Sequence, residues 1–347
     1  MFPRLAEWWD GSLRAADEVT LFPSVAWKAP TGWQWSVSGT VIYPAARPIL
    51  ERFFRWALGV HRLRFSGSEN ELLRERGAPF LVKHQSRRKL HLRIGGRLYR
   101  LDPSSRTGHF HGSFSIDPEV LTDDASPTTA RILQVVVRLG SGRRERDFPL
   151  SVHFLHGPGL DVISDIDDTL KITNVRDKPD AIRNTFLRPF QAVPGMAAKL
   201  SGWATAHRAQ IHYVTGSPWQ LYRPLSDFAR AQGFPLGSWA MQSFRLHDRA
   251  SLHRLRRPEI HKAEAIRTLL ARAADRTFVC VGDSSDRDPE VYGAIAREFS
   301  GRVRRIFIRD VTGEAPDGRR YMAAFAGLSG VETRIFRDAR ELPALLL

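Results

Sequence analysis

Four short apolar runs constrain this chain most: Leu160 to Ile166, Ile211 to Val214, Phe278 to Val281 and Val303 to Ile308, separated by stretches of helical periodicity. Strands that read as nearly continuous apolar runs are buried on both faces, and their alternation with helices is the pattern of a doubly wound parallel sheet. The first three runs end in polar residues of catalytic type: Asp165 and Asp167, then Thr215, then Asp283. In open α/β sheets ligands bind outside the carboxyl ends of the strands, so these side chains are expected to converge on one crevice.

Upstream the texture differs. His91 to Arg100 alternates apolar and basic residues into and out of a Gly95-Gly96 turn, and Gly108 to Ile116 and Ile132 to Leu139 read as further strands. Antiparallel strands joined by turns suggest a sandwich. A chain of 347 residues exceeds the size at which a single core stops growing. The expected organisation is an N-terminal extension over 1–30, a β-rich sandwich-like domain over 31–157 and an α/β domain over 158–347. Ile49 to Val60 breaks the strand pattern, with Ile49, Phe53, Trp56, Ala57 and Val60 at helical spacing. It is expected to pack on the sandwich, with a membrane-lying helix as the alternative.

Composition narrows the class. The single cysteine, Cys280, excludes a disulfide framework and a cysteine-based zinc site. The first ten residues carry acids where a signal peptide needs an apolar run, and no stretch approaches the roughly 18 apolar residues of a membrane span. A cytoplasmic protein, soluble or peripheral at a membrane, is the expectation. With 52 Lys plus Arg against 37 Asp plus Glu, the net charge of +15 attracts polyanions: nucleic acid, an anionic bilayer or a phosphorylated substrate. Lys89, His91 and Arg93 in one strand, with Arg97 and Arg100 in its hairpin partner, form a basic group that reads either as a solvated face or as a bilayer contact.

The chemistry is carried by four strings. Ser164-Asp165-Ile166-Asp167-Asp168-Thr169 delivers two carboxylates two residues apart at a strand end, and close anions ionise together only with a cation between them, for which Mg²⁺ is suited. Asp168 reads as a turn residue. Thr215-Gly216-Ser217-Pro218 follows the second strand, with Ser217 as a candidate cap and Pro218 as the first residue of a helix. His261-Lys262 opens a helical pattern. Asp283 ends the third strand as a candidate metal ligand, while Asp288 before Pro289 is either a functional carboxylate or a helix cap.

In this order the strings resemble the four motifs of the haloacid dehalogenase superfamily: Asp165, Asp167 and Thr169, then Thr215, then Lys262, then Asp283 and Asp288. The longer strings Ile163 to Thr169, Gly216 to Tyr222, His261-Lys262 and Gly282-Asp283-Ser284 with Asp288 to Tyr292 are similar to the catalytic domain of the actin-patch type phosphatidate phosphatases. The resemblance covers roughly residues 158 to 310. It implies a Mg²⁺-dependent phosphatase in which Asp165 is the nucleophile and Asp167 the acid and base, with Thr215 and Lys262 binding phosphoryl oxygens. Asp165, Asp167 and Asp283 would hold the metal, with Asp288 beside them. Thr169, Gly216 and Ser217 are expected to contact substrate. Arg254, Arg256 and Arg257, in a basic stretch, are expected to rim an open site that suits a large anionic substrate, phosphatidate at a membrane surface first and a nucleic-acid phosphate end second.

Overall fold

The computed structural model describes residues 13–43, 52, 54–56, 58–61, 65–117, 132–141, 144–242 and 257–346. Two compact units emerge, one of Met1–Arg52 with Leu81–His156 and one of Phe53–Phe80 with Gly157–Leu347.

Among the described residues of the first unit nine strands form one sheet: β1 Glu18–Leu21, β2 Ser24–Ala29, β3 Gly32–Tyr43, β4 Lys83–His84, β5 His91–Ile94, β6 Arg97–Arg100, β7 His109–Ile116, β8 Ile132–Ser141 and β9 Arg144–Leu155. The path runs β1-β3-β2-β9-β8-β5-β6, with β4 and β7 also on β3. Two differences from the sequence reading stand out. The sheet begins inside the stretch read as an extension, because β1 and β2 are too short for a period-2 pattern to stand out. Moreover, β2 pairs with β9 in parallel, so the sheet is not purely antiparallel. The β5–β6 turn is as expected, Gly95 and Gly96 both taking positive φ as its tight geometry requires. The inward face buries Trp35, Val37, Leu92, Val137, Val152 and Phe154 completely, and the Trp35 indole N–H is satisfied by Ser24 Oγ at 3.0 Å.

The second unit holds α1 Gly67–Leu81, β10 Gly159–Ser164, α2 Lys178–Ile182, α3 Met196–His207, β11 Ile211–Pro218, α4 Tyr222–Ala231, β12 Gly237–Gln242, α5 Pro258–Arg272, β13 Arg276–Asp283, α6 Asp288–Glu298, β14 Val303–Arg309, α7 Arg319–Phe325 and β15 Glu332–Phe336. Its six strands are all parallel, in the order β12-β11-β10-β13-β14-β15. The chain therefore builds outward from β10 to one side and then, from β13, to the other. That reversal places the carboxyl end of β10 at the switch point of the sheet. Val162, Val279, Val281, Ile306 and Phe307 are wholly buried, as strands covered on both faces demand.

The helical pattern over Ile49 to Val60 lies partly outside the described residues, including Ile49, Phe53 and Ala57. What is described departs from the expectation that it packs on the sandwich. Phe54 is buried against Phe80 of α1 (ring centroids 5.3 Å) and against Phe186 (5.5 Å), within the parallel-sheet unit, while Trp56 is exposed. Of the marked face, Trp56 is exposed while Val60 is buried. β11 also corrects the sequence reading, because it continues through Pro218 and is followed by a 3₁₀ turn, Trp219–Leu221, before α4. Ser217 is no helix cap, and its hydroxyl is used elsewhere.

Candidate active site

The main-chain N–H of Asp165 still bonds to Val281 O of β13 (2.9 Å), which carries this residue to the tip of the sheet. The chain then turns tightly, Leu170 N and Lys171 N both donating to Ile166 O. Asp168 adopts a positive φ of 55° at this turn, and its carboxylate accepts from Thr173 N, Asn174 N and Val175 N at 2.7 to 2.8 Å. Asp168 is therefore the turn residue the sequence suggested, and it shapes the loop that brings Lys171 and Thr173 back beside Asp167.

Asp165 is buried. Its Oδ2 accepts from Thr169 Oγ1 at 3.3 Å and its Oδ1 lies 2.9 Å from Lys262 Nζ. Thr169 is wholly buried, so it holds the candidate nucleophile rather than meeting substrate, because a side chain with no exposed surface has no route to one. Lys262, on α5, also reaches Asp288 Oδ1 at 2.6 Å and Asp286 Oδ2 at 3.1 Å. Burial alone would lower its pKa, but Asp165, Asp288 and Asp286 outweigh burial and keep it an ammonium.

Asp167 is surrounded by donors. Thr173 Oγ1 (2.7 Å) and Lys171 Nζ (3.0 Å) reach Oδ1, while Ser217 Oγ (2.9 Å) and Thr215 Oγ1 (3.2 Å) reach Oδ2. Burial would raise its pKa; Lys171 and these hydroxyls overcome burial and hold it at about 2. Thr215 is wholly buried and spends its hydroxyl on Asp167, whereas Gly216 and Ser217 line the cavity. A Cβ on Gly216 would lie 2.7 Å from Pro258 Cβ, so only glycine lets the end of β11 approach the start of α5 this closely.

At the end of β13, Asp283 accepts at Oδ1 from Ser285 N (2.5 Å) and from the Ser285 hydroxyl, while its buried Oδ2 has no hydrogen-bond partner. Asp288 is not the helix cap that was one reading of it: Arg287 holds the cap position without a side-chain bond, and Asp288, the first residue of α6, is wholly buried with its carboxylate bonding Lys262 and accepting from Asp283 N at 3.2 Å. Gly282 is required here, since a Cβ would lie 2.4 Å from Asp288 Oδ2.

Oxygens of Asp165, Asp283 and Asp288 all lie within 4.8 Å of one another. Burial raises the pKa of Asp165 well above the usual carboxylate range, with Asp288, Asp283 and Asp167 adding to the effect against Lys262. Burial and Asp288 push Asp283 up to about 7. Among the described residues, five acids, Asp165, Asp167, Asp283, Asp286 and Asp288, thus face Lys171 and Lys262 as fully buried cations, with the partly buried Arg309 near Asp283. An orphaned carboxylate oxygen within a buried cluster short of positive charge fits a hard, oxygen-seeking cation.

Three residues escaped the sequence reading: Lys171, Thr173 and Asp286. Their signal was their place within the carboxylate strings, but a lysine after a turn and a second acid before Asp288 look like surface residues until the fold is known. Of the expected arginine rim only Arg257 lies among the described residues. Arg254 and Arg256 lie outside the described residues, and Arg257 is exposed, pairing with Glu259 at 3.4 Å instead of facing the cavity. Beyond the carboxylates, Lys262, Thr173, Ser217 and Thr185, the cavity lining is mostly apolar, with Phe54, Leu58, Phe80, Val175, Phe186 and Leu221.

Known proteins resemble the same part of the chain. An uncharacterized protein of Schizosaccharomyces pombe is 33% identical over 160 residues, covering 44% of this chain and 25% of its own length. Phosphatidate phosphatase APP1 of Saccharomyces cerevisiae is 28% identical over 154 residues, covering 44% of this chain and 26% of its own. The chain thus spans about a quarter of the length of these curated relatives. Among solved structures, one described as the Pnkp1/Rnl/Hen1 complex aligns over 63% of this chain and 60% of its own at 13% identity, but with a TM-score of 0.27, too low to carry any argument. Residues 160–310, the span that holds the carboxylate site, match the family model described as phosphatidate phosphatase APP1, catalytic domain.

Proposed function

We propose that this protein is a metal-dependent phosphomonoesterase of the haloacid dehalogenase superfamily that hydrolyses phosphatidate to diacylglycerol through an aspartyl-phosphate on Asp165. One observation carries the reading: at the switch point of a parallel sheet, Asp165 is held by Thr169 and Lys262 beside Asp167, in a cavity whose remaining lining is mostly apolar. Phosphoryl transfer needs an in-line nucleophile, neutralisation of the moving charge and a proton for the leaving oxygen.

In the first step Asp165 attacks phosphorus and the bond from phosphorus to the ester oxygen breaks. The leaving oxygen takes a proton that arrives with the substrate monoanion, whose second pKa is about 6, and passes through Asp167. In the second step Asp167, resting as a carboxylate, removes a proton from water as the water oxygen attacks phosphorus and the Asp165 ester breaks. Lys262 opposes the protonation that burial favours at the attacking carboxylate, and Thr215, Ser217 and Thr173 hold Asp167 in place. Asp165, Asp283 and the main-chain carbonyl of Asp167, with Asp288 behind them, would hold Mg²⁺. When bound, the ion would supply charge neutralisation on the phosphoryl oxygens.

The mostly apolar lining favours lipid phosphate over a nucleic-acid end, whose hydroxyls and bases would find few partners there. A net charge of +15 suits peripheral attachment to an anionic cytoplasmic bilayer surface, and no described helix is long and apolar enough to cross a membrane. Phosphate release with Mg²⁺ from phosphatidate in mixed micelles, compared with 3′- and 5′-phosphorylated oligonucleotides, tests the reading. Faster release from the oligonucleotides would overturn the lipid assignment.

A further inference from the structure

The cavity over the carboxylates measures about 420 Å³, and part of its wall comes from far upstream in sequence. Phe54 and Leu58 precede α1, and Phe80 lies near the end of that helix. Their rings form a closed cluster with Phe186: Phe54 to Phe80 5.3 Å, Phe54 to Phe186 5.5 Å and Phe80 to Phe186 5.8 Å. The segment is anchored where it lies. Arg76 of α1 is buried, donates to Thr185 O (2.9 Å) and Arg188 O (2.7 Å), and stacks over Phe190 at 3.6 Å. The described residues from Phe54 to Phe80 are therefore a fixed part of the catalytic unit, and three of them, Phe54, Leu58 and Phe80, line the same cavity as Asp165 and Asp167.

Resting on the phosphatase reading above, we propose that Phe54, Leu58 and Phe80, together with Phe186, are the specificity-determining residues of the site: they hold the methylenes of an acyl chain nearest the glycerol of a lipid phosphomonoester. The argument is chemical and volumetric. The carboxylates and Lys262 are assigned to the phosphoryl group, Thr173 and Ser217 are spent on Asp167, and the rest of the lining is mostly apolar, with Thr185 the polar exception. A sugar or nucleoside there loses most of its water contacts without replacement, whereas an alkyl chain gains about fourfold in binding per methylene buried. A space of about 420 Å³ is at the small end of ligand pockets, so it takes the headgroup and the first few methylenes and leaves the rest of the chains outside. Selectivity must therefore rise with chain length and then level off.

The test is a series of soluble, monomeric phosphomonoesters assayed with Mg²⁺: glycerol 3-phosphate, then dibutanoyl, dihexanoyl and dioctanoyl phosphatidate. For the wild-type chain kcat/KM should rise about 100-fold or more from glycerol 3-phosphate to dihexanoyl phosphatidate and change less than about threefold beyond it. In Leu58→Asp the ratio of dihexanoyl phosphatidate to glycerol 3-phosphate should fall at least tenfold, chiefly through KM. Phe54→Ala should act the same way; should that variant not fold, the half-buried Leu58 and the more exposed Val175→Asp carry the test. Release of phosphate at rates independent of chain length, or a ratio unchanged in folded Leu58→Asp, overturns the wall and leaves the phosphatase reading standing. No release from any of the four substrates overturns the phosphatase reading itself.

Discussion

Lys171 Nζ stands 3.0 Å from Asp167 Oδ1, with only 1% of the lysine side chain exposed. Burial would favour a protonated Asp167, and Lys171 is the largest of the groups that reverse this and hold the carboxyl at about 2. Lys171→Met should remove that opposition, so the Asp167 pKa rises and the acid limb of the pH–kcat profile moves to higher pH. The rate at neutral pH should fall about 100-fold, the lower range for loss of acid–base catalysis. A profile that keeps its acid limb while the rate falls would reduce Lys171 to a packing residue.

Metal binding should report the shortage of positive charge around Asp165 and Asp283. Mg²⁺ at 100 times its Kd should stabilise the wild-type chain by about 2.7 kcal/mol, seen as a rise in Tm by scanning fluorimetry. Asp283→Asn should lose most of that rise. Because burial and Asp288 raise Asp283 to about 7, protons compete for the same oxygens, and the Kd for Mg²⁺ should increase as pH falls from about 7 to 5. An affinity that is flat over that range would contradict the site.

Asp165→Asn should abolish turnover, since an amide is not a nucleophile of this kind. Without metal the variant should be no less stable than the wild type, because it removes one of several mutually repelling buried carboxylates. Phosphate release above about a tenth of the parent rate would exclude Asp165 as the nucleophile. A Tm in EDTA well below that of the wild type would show the carboxylate to be structural.

These residues differ in how far the sequence exposed them. Asp165, Asp167, Thr215 and Asp283 were legible because parallel strands are apolar throughout, so a polar residue at the end of such a run stands out. Lys262 and Asp288 could be placed only by the order of the strings. Phe54 and Phe80 were not legible as parts of a site, because their partner Phe186 is more than a hundred residues away and periodicity reports only which side of a helix is apolar, never what covers it. Ser217 was misread since a serine before a proline fits a helix cap, yet the nearby Asp167 captures its hydroxyl.

The basic group on β5 and β6 behaves differently in the fold. Register pairs Arg93 with Leu98 and His91 with Arg100, so Arg97 lies on the opposite face. On the shared face acids interleave: Arg93 and His91 meet Glu145, and Arg138 meets Asp147 at 3.0 Å. Alternating exposed charges of both signs give little net field beyond a Debye length of about 10 Å. Reversing Arg93, Arg97 and Arg100 to Glu should therefore change sedimentation with anionic vesicles by less than about twofold. A larger loss that high salt reproduces would restore this face as a bilayer contact.

Asp161 and Arg276, both wholly buried at the start of β10 and β13, join these two central strands. The guanidinium pairs with the carboxylate through two nitrogens and also donates to Leu160 O, while Asp161 Oδ1 accepts from Gln210 N at 2.8 Å. Burial pulls the Asp161 pKa up, but His212 and Arg276 more than cancel it and leave the group below its ordinary value. A carboxyl depressed by folding contributes stability above its unfolded pKa of about 3.9, and that contribution is lost as pH falls through the folded value. Asp161→Asn leaves Arg276 charged in the core and should cost about 3–5 kcal/mol at pH 7 in urea unfolding. The gap from wild type should hold down to about pH 4 and narrow below it, as the wild-type carboxyl itself becomes protonated. The double variant Asp161→Leu with Arg276→Met should recover most of the loss, because it removes both charges together. A gap that stays constant through the acid range, or a double variant no better than the single, would mean that Asp161 acts through shape and hydrogen bonding to Gln210 rather than through its charge.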